Sequence, residues 1–132
     1  RASPHSSWTK YIHCETCEYV TDKLFYMYES FKSGPDWGED TLIDILHDIC
    51  NPFSNIGLWI TTIDLYVDVE RYLTFDQNDK FGMCFRECET ISKACQEVIS
   101  DQAEELAEWI WQTPDAWIKK ETFTNYICDP FC

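Results

Sequence analysis

The sequence predicts a mainly α fold: a disulfide-linked bundle of four to five helices with a partly β-like insertion between the second and third helices. Three observations predict it. Apolar residues recur at three- and four-residue steps over most of the chain, the period of one helix face. A C-x2-C near the start (Cys14, Cys17) and a C-x3-C at the finish (Cys128, Cys132) can tie the ends together in a nested pair of bridges, Cys14 with Cys132 and Cys17 with Cys128. Between them, one stretch changes its apolar period from helical to two.

Taken in order, residues 1–8 read as an N-terminal arm, and residues 9–132 as a single domain with an insertion at about 53–82. The first helix is expected from Thr9 to Phe31, where Cys14, Cys17, Val20, Leu24, Tyr28 and Phe31 form one stripe before Ser33-Gly34-Pro35 ends it. The second fits Glu39 to Cys50, with Leu42, Ile45, Leu46 and Ile49 on one side. Glu39 and Asp40 suit the positive end of its dipole, and Asn51-Pro52 stops it. From Trp59 to Val69 the chain alternates and is rich in β-branched residues. A second extended run, Arg71 to Phe75, and a polar turn at Asp76-Gln77-Asn78-Asp79 follow. A helix through Trp59, Ile63, Tyr66 and Leu73 competes with this extended reading. The third helix is expected to be the longest, running unbroken from Cys84 through Cys95 to Trp109. Thr113-Pro114-Asp115 then reads as the start of a last helix, with a hydroxyl N-cap and proline at the first helical position. That helix carries Ala116, Trp117, Phe123, Tyr126 and Ile127 into the terminal cysteines.

Composition bounds the function. The net charge of −14 argues against nucleic acid, whose phosphates need a basic footprint. At neutral pH it also argues against an anionic membrane surface; carboxylates neutralise only towards about pH 4 to 5. Its plainest role is to keep an aromatic-rich protein in solution. No stretch approaches the roughly 20 apolar residues of a membrane span. The opening Arg1-Ala2-Ser3-Pro4 reads as a trimmed start, so a removed leader is expected.

Eight cysteines favour an oxidising compartment, the ER lumen or the exterior. Eight can pair in about 105 ways, so their number does not settle connectivity. Residues three or four apart share a helix face, so two antiparallel helices marked C-x2-C and C-x3-C can be stapled twice along their seam. A third bridge from Cys50 would join the second helix to the third.

This arrangement resembles the saposin-like (saposin B-type) superfamily. Its cysteine order is first with sixth, second with fifth and third with fourth, which the resemblance places on Cys14–Cys132, Cys17–Cys128 and Cys50–Cys95. The insertion ahead of Ala94-Cys95-Gln96-Glu97-Val98-Ile99 looks like the canopy branch, whose members are ER-resident or secreted helpers of receptor folding. Two departures from the minimal module matter: the added length between Cys50 and Cys95, and the extra pair Cys84 and Cys88. Three arrangements fit that pair. They bridge each other if the helix starts after both, which is the preferred arrangement; Cys50 pairs with Cys88 and Cys84 with Cys95; or they stay free or bond another chain.

Catalytic chemistry finds little footing. Cys14-Glu15-Thr16-Cys17 lacks the preceding strand of a dithiol redox motif. His13 with the four terminal cysteines suggests zinc, yet an oxidising compartment favours disulfides. His47 beside Asp44 and Asp48 reads as a solvated helix face. No G-x-S-x-G, H-E-x-x-H or phosphate-binding glycine loop occurs. Asp76, Asn78 and Asp79 lack the spacing, glycine and glutamate of a calcium loop. The expectation is a protein that is not an enzyme, without metal or cofactor.

The tryptophans carry the stronger signal. Trp109 and Trp111, two apart on a helix, cannot both face the core, and with Trp117 they flank the last helix junction. Trp59, Trp109, Trp111 and Trp117 are therefore the candidate contacts for a protein partner or a lipid. Three functions compete: a canopy-like module that binds a protein partner, a saposin-type lipid binder, and an extracellular assembly subunit. The first is preferred.

Overall fold

The computed structural model describes residues 9–66, 74–77 and 83–132. Helix α1 (Thr9–Phe31) packs against α3 (Arg86–Val98) and α5 (Lys120–Cys128), while α2 (Glu39–Asp48) packs against α4 (Ala103–Gln112). The stripe on α1 is the reason. Ile12, Thr16, Cys17, Val20, Leu24 and Tyr28 are all buried and lie on one side at helical spacing. Cys17, Val20, Leu24 and Tyr28 meet Ile91 and Val98 of α3 and Phe123 and Ile127 of α5 in one hydrophobic core, which Leu42 and Leu46 enter from α2, Ile49 from its C-cap, and Leu106 and Ile110 from α4. Among the described residues, no helix is long and apolar enough to cross a membrane.

Four disulfides close this frame: Cys14–Cys132, Cys17–Cys128, Cys50–Cys95 and Cys84–Cys88. The first two lie along the α1–α5 seam. The third joins Cys50, just past the end of α2, to Cys95 in the last turn of α3; one turn earlier the Ser92 hydroxyl donates to the Cys50 carbonyl at 2.7 Å. In the fourth, Cys84 precedes α3 and Cys88 sits in its first turn, so the chain is free of helical geometry at one end of the bridge.

Four expectations are corrected. The extended run does not start at Trp59: Asn55–Thr62 is a 3-10 helix, capped by the Ser54 hydroxyl, which accepts from the Gly57 N–H. Trp59 and Ile60 are both buried, and a half-buried strand cannot put consecutive side chains on one face. The hydroxyls of Thr61 and Thr62 donate back to the Leu58 and Trp59 carbonyls, which supports the tighter turn. Only Ile63–Tyr66 is extended here; as β1 it pairs antiparallel with β2 (Thr74–Gln77), Ile63 opposite Gln77 and Tyr66 opposite Thr74. Asp76 and Gln77, expected in a turn, belong to that strand, whereas residues 67–73 and 78–82 lie outside the described residues.

The long third helix is two helices. It bends at Ile99 and passes through a 3-10 turn, Ser100–Gln102, into α4. The Ser100 hydroxyl donates to the Leu46 carbonyl at 2.9 Å, anchoring the bend on the α2 helix. The bend sends α3 along α1 and α4 along α2. Finally, Thr113 ends α4 instead of starting the last helix: its N–H and hydroxyl both donate to the Trp109 carbonyl, at 3.0 and 2.6 Å. Pro114 opens only a single 3-10 turn, Asp115–Trp117, and α5 begins at Lys120.

Candidate interaction surface at the α4–α5 junction

The two-residue step from Trp109 to Trp111 turns about 200° on a helix, so the rings leave α4 on opposite sides. Trp109 points to α5. It meets Phe123 edge-on at 5.9 Å and stacks flat on Tyr126, with centroids 3.9 Å apart and planes 1° from parallel. Trp111 points the other way, to Trp37, at 6.2 Å between centroids, and is 46% exposed. Trp117, on the intervening 3-10 turn, is 71% exposed, and Tyr126 is 51% exposed. Trp111, Trp117 and Tyr126 thus leave aromatic surface open to solvent in one neighbourhood.

The Thr113-Pro114 loop divides the surface into two grooves. One, of about 500 Å³, is walled by Tyr28, Trp37, Ile110 and Trp111, with Lys32 and Asp115 at its polar edge. The other, of about 1330 Å³, lies between α4 and α5 and is walled by Trp109, Trp117 and Tyr126, with Glu121, Asn125 and Asp129 along its rim.

The first groove is held by a charged network. The Tyr28 hydroxyl donates to Asp115 Oδ1 at 2.6 Å, and Lys32 Nζ donates to the same oxygen at 2.9 Å while pairing with Glu29 at 3.1 Å. The Lys32 cation also lies 5.2 Å from the Tyr28 ring centroid. Burial, and then the hydrogen bond to the Asp115 carboxylate, push the Tyr28 phenol up to about 12. The hydrogen bonds from Tyr28 and Lys32 hold the Asp115 carboxyl below its usual value, and those to Asp115 and Glu29 raise the Lys32 ammonium. This network pins the 3-10 turn that carries Trp117 onto α1. Lys120 pairs with Asp22 and ties the start of α5 to α1 as well.

Three of the four candidate tryptophans therefore gather at one junction. Trp59 does not. It is 6% exposed, stacks on Tyr19 at 5.4 Å and donates from Nε1 to the Ile49 carbonyl at 2.9 Å, so it is a core residue with a satisfied donor. Lys23 covers the same pair from outside, 5.1 Å from the Tyr19 ring centroid. The sulfurs of Cys14, Cys17, Cys128 and Cys132 are bonded in pairs and offer neither thiolates to zinc nor a free dithiol. His13 Nε2 stands 3.4 Å from Glu97 across the α1–α3 contact. The sequence reading missed Tyr28, Trp37, Asp115 and Tyr126 as parts of this surface. The signal for Tyr126 was present, since it lies three residues beyond the buried Phe123 on the same helix, but its partner Trp109 comes from another.

No protein-family model, curated protein or solved structure matches the chain.

Proposed function

We propose that this chain is a saposin-like module of canopy type that works in the secretory pathway by binding a protein partner, without catalysis. The observation that carries the reading is the exposed aromatic surface of Trp111, Trp117 and Tyr126, mounted beside a seam stapled twice. Large aromatics that remain open on a rigid support offer contact area at little entropic cost, as interface anchors do. Support for the saposin-like frame comes from the disulfide order. With Cys84 and Cys88 set aside, the bridges run first to sixth, second to fifth and third to fourth. Four disulfides with no free cysteine are consistent with an oxidising compartment, either the ER lumen or the exterior.

The test uses the oxidised chain with a photo-crosslinking residue at position 112, on the lining shared by both grooves, exposed to a secretory-pathway extract of the source cells. A saturable adduct is expected, competed by unlabelled wild type and not by a Trp111→Ala/Trp117→Ala double variant. Native mass spectra of the purified protein are expected to be free of lipid. Stoichiometric lipid, or crosslinking that the double variant competes equally well, overturns the reading in favour of lipid binding or of no specific partner.

A further inference from the structure

The two grooves differ in charge, and the difference specifies a ligand. In the first, Asp115 is already answered by Lys32. In the second, the rim holds two carboxylates, Glu121 and Asp129, and the lining has no Lys, Arg or His. Nearby cations are engaged elsewhere: Lys120 with Asp22, and Lys32 with Glu29 and Asp115. Among the described residues, nothing pairs with Glu121 or Asp129.

The same lining carries aromatic rings. Trp117 and Tyr126 are more than half exposed, and Tyr126 is held flat by its stack on Trp109. The negative face of an aromatic ring attracts a cation, and carboxylates placed beside it add to the same potential. The surplus of acids over the whole chain, −14 net, attracts in the same sense from a distance.

We infer that the α4–α5 groove receives an arginine-bearing segment of the protein partner, the guanidinium lying against Trp117 or Tyr126 and paired with Glu121 or Asp129. Arginine fits better than lysine because its planar fork both stacks on a ring and meets a carboxylate through two N–H groups. The Thr122 hydroxyl and the Asn125 amide, on the same lining, can bond the backbone of an extended segment. This deepens the protein-binding reading and rests on it.

The test titrates the full oxidised chain with an amidated tetra-arginine peptide, read by calorimetry and by the indole N–H resonances. A tetra-citrulline peptide serves as the neutral isostere. Saturable binding of tetra-arginine is expected to shift the Trp109 and Trp117 indoles. Citrulline is expected to bind at least ten-fold more weakly. Glu121→Gln/Asp129→Asn should weaken tetra-arginine at least ten-fold, and Trp117→Leu several-fold. Glu89→Gln/Asp101→Asn removes the same charge from exposed positions outside both grooves and should change binding less than two-fold. Equal loss in both double variants reduces the effect to net charge and overturns the inference. So do equal binding of citrulline, absence of saturable tetra-arginine binding, or indole shifts produced instead by phosphatidylcholine vesicles. If the position-112 adduct forms and is competed while tetra-arginine fails, the partner reading stands and the arginine assignment falls.

Discussion

Removing the outer staple should cost half of what its loop length suggests, because the inner staple still closes the ends. Cys14–Cys132 spans 118 residues and Cys17–Cys128 spans 111. Alone, a closure of that length stabilises by about 5 kcal/mol in the chain-entropy account. With the inner bridge intact, however, the outer one closes only the four residues of α1 and the five of the C-terminal turn. A ring of about nine residues is worth about 2.5 kcal/mol. Cys14→Ala/Cys132→Ala should therefore lower stability by about 2.5 kcal/mol. Cys17→Ala/Cys128→Ala should cost the same closure term plus about 1 kcal/mol per sulfur, since both sulfurs are buried. Removing all four should cost the short ring and the long loop together, about 7.5 kcal/mol before packing, well above the sum of the two closure terms. That is comparable with the whole stability of a typical domain, so the quadruple variant should be unfolded at 37 °C. The assay is urea unfolding followed by tryptophan fluorescence, with free energies extrapolated to water because the variants expose more surface and change the slope. A cost near 5 kcal/mol for the outer pair alone, or strict additivity of the two pairs, would refute the nested-closure reasoning.

Four further outcomes are expected. In alkaline titration at 295 nm the Tyr28 phenol should ionise late, near pH 12, and Tyr28→Phe should remove that late step. Its folded value lies above the unfolded one near about 10, so its contribution to stability is intact below that pH and is lost as the pH climbs through the folded value. Gly57→Ala should destabilise by about 3 kcal/mol or more in thermal or urea unfolding. A methyl there would overlap the Asn51 carbonyl and stand 2.9 Å from the Asp48 carbonyl, and both obstacles are backbone. Trp59→Phe keeps a ring against Tyr19 but withdraws the donor to the Ile49 carbonyl; urea midpoints should report a loss of about 1 to 2 kcal/mol. Cys84→Ala/Cys88→Ala opens a loop of only 4 residues' separation, so its closure term should be about 2 kcal/mol and the protein should stay folded by circular dichroism.

The sequence by itself determined the parts that depend on neighbours along the chain. The span of α1 and the start of α2 were legible, because a helical stripe followed by Ser33-Gly34-Pro35, or preceded by Glu39 and Asp40, is a local signal. So was the opposition of Trp109 and Trp111, which needs nothing beyond the helical period. Tertiary structure decided what local signals leave degenerate. Trp59 to Thr62 alternates like a strand, but apolar residues occupy both rows, and only the packing of Trp59 and Ile60 together selects the 3-10 turn. The stripe from Cys84 to Trp109 continues across Ile99 in register, and it takes a carbonyl of α2, bound by Ser100, to turn it. Thr113 has the chemistry of either helix end; the free Trp109 carbonyl beside it claims both of its donors. The candidate surface needed the fold most of all. Tyr28 and Asp115 are 87 residues apart, and Trp109 meets Tyr126 across two helices. Periodicity states which face of a helix is apolar; only the packed chain states which other face it meets, and therefore which aromatic rings are left in water.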